Sequence, residues 1–255
     1  MHRTNMRKSE KVMLSALGVV ALIVVSLVAV ARIAVSKVDT GTDVKASSSK
    51  QINYRDMVEK KFDVRDFDSI RFLGTWKVEL EQGDAWRVEL RYPRDMEDDL
   101  EVSVKNGRLT LNPGQWDNHW NWNWWKGGHQ ESLKARIVMP NLKSLDISGA
   151  TNLDFAGFEG ENLNIAISGA GNVEGKDGRF ENLDLNMSGA GNVDMRDVIF
   201  VDANVNMSGA GNVNLGMDGG VLSGNLSGFG NIEYYGSVSD EHVNVSGFGK
   251  VHPHY

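Results

Sequence analysis

Apolar and polar residues alternate along most of the chain, and in its second half a glycine-rich motif interrupts the alternation at regular intervals. Six copies of the motif occur, from ISGATNLD at Ile147 to VSGFGKVH at Val245. Their serines are Ser148, Ser168, Ser188, Ser208, Ser227 and Ser246, so the spacing is nearly constant along the second half of the chain. A fixed period of about 20 residues is typical of a solenoid in which each repeat forms one coil.

The residues on both sides of each motif predict β-strands. An apolar residue stands directly before each serine, and the position two residues earlier is apolar in every copy except at Gly224. A third apolar column follows the glycines, at Leu153, Val173, Val193, Val213, Ile232 and Val251. This spacing of two places the apolar side chains inside. The sequence therefore predicts an all-β, single-stranded parallel β-helix with coils of about 20 residues, and the general preference of parallel crossovers favours a right-handed one.

An asparagine stands four residues after each serine in five of the six copies. These residues are Asn152, Asn172, Asn192, Asn212 and Asn231. In stacked coils their side chains would lie about 4.8 Å apart, so we interpret the column as a structural ladder of hydrogen-bonded amides. Lys250 takes this position in the last copy, and with the polar residues after it predicts a terminal cap.

Residues 61–140 show the same alternation without the motif. Segments such as WKVELEQ and RLTLN predict strands, and Asn106-Gly107 predicts a tight turn between two of them. We expect these strands to form the first coils, or a sheet that caps the repeat region at 141–255 and continues into it. A tryptophan-rich insert at 116–129 interrupts this part of the chain.

The N-terminal part of the chain, at 1–60, predicts export and attachment to a membrane. Residues 12–35 open with about twenty uncharged, mostly apolar residues, long enough as a helix to cross a bilayer. Basic residues before this segment place residues 1–11 in the cytoplasm. The alternative is a cleaved signal peptide, because Ala29 and Ala31 fit a cleavage site. Residues 36–60 are polar and predict a flexible tether.

Composition narrows the class of protein. The chain has no cysteine, which excludes disulfides and thiolate metal sites. The net charge is −7 although the N-terminal segment is basic. An acidic body argues against nucleic acid as a partner, because binding to phosphates needs a basic surface.

Three blocks in a fixed order carry a resemblance to a known family: FDSIRFLGTWKVELEQGD at 67–84, LEVSVKNGRLTL at 100–111 and IVMPNLKSLDISGATNL at 137–153. Together with the SGAGNV corners, they resemble the head GIN domain family of auto-transporter adhesins from Phe62 to Val251. The resemblance implies a β-helical fold, a place in the bacterial cell envelope and a function in adhesion. It supplies no catalytic residues. The segment from Trp116 to His129 departs from the family pattern.

The tryptophan-rich insert is the candidate ligand-binding site of the sequence. It contains Trp116, Trp120, Trp122, Trp124 and Trp125. Three of these rings alternate with asparagines, so an extended arm would present indoles on one face, and exposed indoles beside amides suit sugar rings. Contact with lipid is a second interpretation. The third is that the rings cover an open end of the solenoid.

Acidic residues form a further column, six positions after the serines. Asp154, Glu174 and Asp194 would stack on neighbouring coils and face solvent. Stacked carboxylates repel one another, and calcium would relieve this, although a plain solvated face is the simpler interpretation. His242, His252 and His254 form a second, weaker metal hypothesis against that of an exposed tail. No cofactor is expected.

The sequence thus predicts a non-catalytic protein, anchored in the inner membrane with its body in the periplasm or outside the cell, which binds a glycan or another surface component. One alternative is a structural scaffold whose flat ladders assemble with copies of themselves. A second is a polysaccharide-acting β-helix enzyme, which would need a cluster of carboxylates in a groove. The oligomeric state is not predicted.

Overall fold

The computed structural model describes residues 56–114 and 133–254, in which seventeen strands join into one continuous hydrogen-bonded sheet. A single 3₁₀ turn, Arg94–Met96, is the only helical element in these residues. The strands are β1 (Met57–Phe62), β2 (Ser69–Phe72), β3 (Thr75–Gln82), β4 (Arg87–Pro93), β5 (Glu101–Lys105), β6 (Arg108–Asn112), β7 (Leu133–Met139), β8 (Ser144–Ile147), β9 (Ala150–Ala156), β10 (Glu159–Ile167), β11 (Ala170–Met187), β12 (Ala190–Met207), β13 (Ala210–Asp218), β14 (Val221–Leu226), β15 (Phe229–Ser237), β16 (Asp240–Val245) and β17 (Phe248–His254).

The sheet winds into coils because strands one repeat apart pair in parallel. The first ladder of strands runs β6, β2, β8, β10, the second halves of β11 and β12, then β14 and β16. The second ladder runs β7, β3, β9, the first halves of β11 and β12, then β13, β15 and β17. The register steps by one repeat, so that Val173 lies opposite both Leu153 and Val193. The predicted all-β solenoid is confirmed.

The core consists of the columns that the alternation predicted to face inward. On the first ladder Ile165, Leu185 and Val205 are stacked and buried, and on the second ladder Leu153, Val173 and Val193 are stacked in the same way. Each buried aliphatic side chain stabilises the fold by about 1.5–3 kcal/mol. Because every coil repeats the same set, the hydrophobic stabilisation grows with each coil added.

The corner between the two ladders requires glycine because the neighbouring coil leaves no space for a Cβ atom. The carbonyl oxygen of each corner glycine points along the solenoid and accepts a hydrogen bond from the next coil, as in Ala190 N–H to Gly169 O at 3.0 Å. A Cβ on Gly189 would overlap that same oxygen. The backbone of Gly189 does not have a positive φ. The first glycine of the motif is therefore required by close backbone approach rather than by its conformation.

One coil of the solenoid lacks the motif and lies far ahead of the others in the sequence. Phe72, Leu73 and Gly74 form its corner, which joins β2 to β3 and stacks directly on the corner at Ser148. A Cβ on Gly149 would overlap the carbonyl oxygen of Gly74, as in the later corners. The coil of β2 and β3 thus lies directly before the six coils that carry the motif, and β6 and β7 pair with its other side.

Antiparallel strands cover the N-terminal end of the stack. The strand β4 pairs antiparallel with β7 and with β1, and β5 pairs antiparallel with β6. Beneath them Trp76 is buried, and its indole N–H donates to Leu73 O at 2.6 Å. Both arrangements expected for residues 61–140 therefore occur, since part of this segment forms coils and part forms a capping sheet.

The sequence predicted a membrane anchor at 12–35 and a tether at 36–60. The predicted membrane segment at 12–35 lies outside the described residues. Within 56–114 and 133–254, no helix is long and apolar enough to cross a membrane. The strand β1 begins at Met57 and pairs with β4, so the folded body starts inside the range 36–60 that the sequence predicted as tether.

Substitution of one corner glycine tests the close approach. We expect Gly189→Ala to lower the free energy of unfolding by about 3 kcal/mol or more, because the coils must separate to admit the methyl group. Gly219→Ala is the matched control, because Gly219 has φ +83° but no atom within 4 Å of an added Cβ. That change should cost only about 1 kcal/mol of backbone strain. Chemical denaturation measures both, and equal losses would contradict this account of the corner.

Candidate functional site

The two ladders present different chemistry to solvent. We call the outward residues of β10, of the second halves of β11 and β12, and of β14 and β16 the amide face. In the three columns nearest the corner serines, its polar residues are Asn162, Asn164, Asn182, Asp184, Asn186, Asp202, Asn204, Asn206, Ser223, Asn225, Asp240, His242 and Asn244. Most of these side chains are amides, and charge is sparse. The alternation places them outside because the residues between them fill the core.

Hydrogen bonds run along the amide face from coil to coil. The Asn225 amide donates to Asn206 Oδ1 at 2.9 Å, and the Asn206 amide donates to Asn186 Oδ1 at 3.4 Å. The neighbouring column has the same arrangement, with Asn204 donating to Asp184 Oδ1 at 3.3 Å. A carboxamide has two N–H donors and two acceptor sites, so one or two bonds each leave capacity for a ligand. The bonds also hold the side chains in fixed positions.

Shallow grooves run parallel to the solenoid axis on this face. One groove has the column of Asn186, Asn206 and Asn225 on one side and the corner serines on the other. Exposed atoms of otherwise buried residues, such as Met187, form its floor. A second lies between the column that contains Asn182 and the one that contains Asn204. Each groove crosses several coils at the strand spacing of about 4.8 Å. The first repeats amides and serine hydroxyls, whereas the second also contains Asp184, Asp202 and Ser223.

The asparagines that the sequence analysis interpreted as a ladder lie on the second ladder of strands. They stack in adjacent coils, and their side chains bond to backbone as well as to one another. Asn192 Oδ1 accepts from the Asn212 backbone N–H at 3.1 Å, and Asn231 Oδ1 accepts from the Lys250 N–H at 3.2 Å. A lysine lies at each end of the asparagine column. Lys250 pairs with Asn231 at the C-terminal end, and Lys77 pairs with Asn152 at the N-terminal end. These amides satisfy backbone donors, which is a structural task.

The acidic column lies beside this ladder and carries its own cations. Asp154, Glu174 and Asp194 are in register on adjacent coils. Arg196 forms two hydrogen bonds with the Asp194 carboxylate, at 2.9 and 2.7 Å, and Lys176 lies 2.5 Å from Glu174. These bonds neutralise Glu174 and Asp194, two of the three carboxylates for which calcium was considered. Across 56–114 and 133–254, no three His, Cys, Asp or Glu side chains are grouped to hold a metal ion.

The three C-terminal histidines are divided between the two ladders. His242 lies on β16 and contacts Asp240 at 2.8 Å, whereas His252 lies on β17 and contacts Glu233 at 3.4 Å. The His254 ring packs against Tyr235, with 4.6 Å between the ring centroids. The structure therefore does not bring the three imidazoles to one point.

The five tryptophans of the predicted binding arm lie outside the described residues. The described residues on either side of this segment, Gly114 and the start of β7, belong to the N-terminal end of the solenoid. The function of the arm stays a prediction. The amide face, in contrast, was not recognised as a site from the sequence. The signal lies in the residues two positions before the corner serines, such as Asn186, Asn206 and Asn225, which the alternation alone marks only as outward-facing.

Comparison with known proteins agrees with this fold. The chain belongs to the family described as "Putative auto-transporter adhesin, head GIN domain", whose model matches residues 66–237. The family is one of bacterial, envelope-associated adhesins, and its description names no enzymatic activity. No curated protein sequence matches the chain.

Two solved structures are similar to this chain. A "putative adhesin" from Bacteroides fragilis is 16% identical to the chain with a TM-score of 0.57, and the alignment covers 78% of this chain and 98% of that one. A "putative lipid binding protein" from Parabacteroides distasonis is 18% identical with a TM-score of 0.47, covering 77% and 97% of the two chains. The first of these structures shares the fold of this chain, and at such low identity the likeness concerns the fold alone.

The Asp194–Arg196 pair makes a small part of the stability dependent on pH. The hydrogen bonds from Arg196 hold the pKa of the Asp194 carboxyl below its ordinary value. The charged carboxylate therefore stabilises the fold above the unfolded pKa of about 3.9, and the stabilisation is lost as the pH falls through the lower folded value. We expect about 0.2–1 kcal/mol, because the pair is partly exposed.

Chemical denaturation of the protein and of Asp194→Asn between pH 6 and pH 2 measures this contribution. The variant should be less stable at pH 6 and approach the parent near pH 2. Asp154→Asn is the matched control, because Asp154 lies in the same column two coils away. This variant should show the same acid-dependent loss of stability as the parent. A constant difference between parent and Asp194→Asn at every pH would contradict the assignment.

Proposed function

We propose that this protein is a non-catalytic binding module of the bacterial envelope that attaches to an extended polysaccharide through its amide face. The single observation that supports this most is the array of amides in register along the grooves of that face. The membership of the chain in an adhesin family agrees with attachment as its function.

The chemistry of the amide face suits a neutral, hydroxyl-rich ligand. Amides both donate and accept, as sugar hydroxyls do, so each can form paired hydrogen bonds with a diol. The charged residues of the chain's other outward face, such as Glu174 and Arg196, pair with neighbours instead. Asp184 is the acceptor for two amides of its own face. A strongly charged ligand would find few free counter-charges on the amide face.

The spacing of the face suits a linear polymer. Equivalent amides recur at about 4.8 Å along the axis, so every second coil repeats the same group after about 9.6 Å. This is close to the length of one extended disaccharide unit. A β-linked glycan lying along a groove would therefore meet the same contacts at each disaccharide. Many weak contacts of this kind sum to useful affinity.

The predicted N-terminal segment would complete the function. A membrane-spanning helix at 12–35 would hold the solenoid on the outer side of the inner membrane, and the segment after it would allow the amide face to reach its ligand. The charge of the first residues supports this orientation.

Binding by the full-length chain in detergent tests the proposal. The probes are β-1,4-linked hexasaccharides of glucose and of N-acetylglucosamine, soluble peptidoglycan fragments and a neutral mannan, measured by calorimetry. We expect binding to at least one probe. We also expect a variant with Asn186, Asn206 and Asn225 changed to alanine to bind it about 100-fold more weakly, at about 1 kcal/mol for each lost hydrogen bond.

Three alanines on the other face provide the matched control. Glu174→Ala, Lys176→Ala and Asn214→Ala together should leave the affinity unchanged, and circular dichroism should show all variants folded. A further variant with Trp120, Trp122 and Trp124 changed to alanine shows whether the predicted arm contributes. The proposal fails if no saccharide binds, or if both alanine triples weaken binding equally.

A further inference from the structure

The last two coils differ from the others at one outward position of the corner. In the earlier coils this position holds Ala150, Ala170, Ala190 and Ala210. In the last two it holds Phe229 and Phe248, whose rings stack with 5.1 Å between centroids and an angle of 7°. Phe229 and Phe248 are 56% and 74% exposed. With Val245, they are the exposed large hydrophobic residues of the described chain.

The corner does not require these rings. Its backbone hydrogen bonds are the same with either residue: Phe229 N–H to Gly209 O is 3.0 Å, and Ala210 N–H to Gly189 O is also 3.0 Å. The rings also lie outside the inward columns, so they add nothing to the core. Four alanine coils thus serve as an internal comparison, and they show that the solenoid folds this corner without an aromatic side chain. Two exposed phenyl rings therefore need another explanation.

The size of the pair favours a small ligand over a protein partner. At the stated 56% and 74% exposure, the two rings together offer on the order of 250 Å². A stable protein interface buries about 800 Å² on each partner. Strand addition by a second copy is also disfavoured here, because β17 contains Pro253, which has no N–H, and presents Lys250. An area of this size matches one or two sugar rings.

The neighbours of the pair identify the chemistry. Asn225 and Asn244 of the amide face precede Phe229 and Phe248 by four residues each, and Asn231 follows Phe229 by two. Asn225 lines the groove beside the corner serines, and Phe229 follows the serine of that same coil by two residues. An apolar platform bordered by amides suits a pyranose, whose C–H face packs on the phenyl ring while its hydroxyls reach the amides.

We infer that Phe229 and Phe248 form a sugar-stacking subsite at the C-terminal end of the serine groove, and that it binds a terminal or penultimate ring of the polysaccharide. This inference rests on the proposed function. It adds a position at which one ring is held more tightly than along the rest of the groove. It also sets a direction, because the aromatic pair lies at one end of the solenoid only.

The test is a double substitution that copies the natural corner of the other coils. In the full-length chain, Phe229→Ala with Phe248→Ala should weaken binding of the β-1,4-linked hexasaccharides by about tenfold, the loss expected for one aromatic stacking contact. The melting temperature should stay within a few degrees of that of the parent. Phe229→Trp with Phe248→Trp keeps the platform and should retain or strengthen binding.

The outcomes separate this inference from the proposed function. If the parent binds and the alanine triple on the amide face weakens binding, but the Phe-to-Ala pair does not, the subsite is overturned and the proposed function stands. If the parent binds no saccharide, both are overturned. Sedimentation velocity and flotation with phosphatidylglycerol vesicles cover the other partners. Loss of self-association or of vesicle binding in the Phe-to-Ala pair, without loss of saccharide binding, assigns the rings to a second copy or to lipid and overturns the subsite.

Discussion

The close contact of backbone with backbone at the glycine corners is the constraint on which the rest of the structure depends. The carbonyl of each corner glycine is directed at the next coil, and Gly169, Gly189 and Gly209 must lack a Cβ for that coil to approach. Because the corners stack without offset, the strand residues on both sides of each corner lie in register with those of the next coil, and the register shifts only farther along, as between Glu174 and Gly178. The core columns, the asparagine ladder and the amide face all follow from this register. A solenoid without such corners would have similar strands but less regular columns.

Strict register gives each outward face a uniform chemistry, and the two faces use it differently. On the second ladder of strands, asparagine side chains accept hydrogen bonds from backbone N–H groups such as that of Asn212, so the amides are part of the scaffold. On the amide face, residues such as Asn206 bond chiefly to other side chains. Amides of the first kind are needed for stability, whereas amides of the second kind are available for recognition. Both kinds look alike in the sequence.

Much of the fold was predictable because it repeats. Six copies of a motif at a nearly constant spacing and a strict alternation determine coil length, the inward columns and the parallel pairing. Coils were expected within 61–140, but the sequence did not show that β2 and β3 form the one that stacks on the corner at Ser148, because Leu73 replaces the corner serine and the antiparallel cap separates Gly74 from Gly149 in the sequence. The pairing of Asp194 with Arg196 also needed the structure, since alternation places both side chains outside without showing that they meet. The two phenylalanines are visible in the sequence as SGFG. The sequence does not show, however, that their side chains are exposed or that the corner folds equally well with alanine.

The measurement that tests the central claim most directly is an NMR titration of the full-length chain, labelled with nitrogen-15 at asparagine only, with the hexasaccharide that it binds. The account predicts that the side-chain amide signals of Asn186, Asn206 and Asn225 shift on binding, while those of Asn172, Asn192 and Asn212 stay in place. Shifts confined to the scaffold ladder, or to Asn121 and Asn123 of the tryptophan-rich insert, would contradict recognition by the amide face.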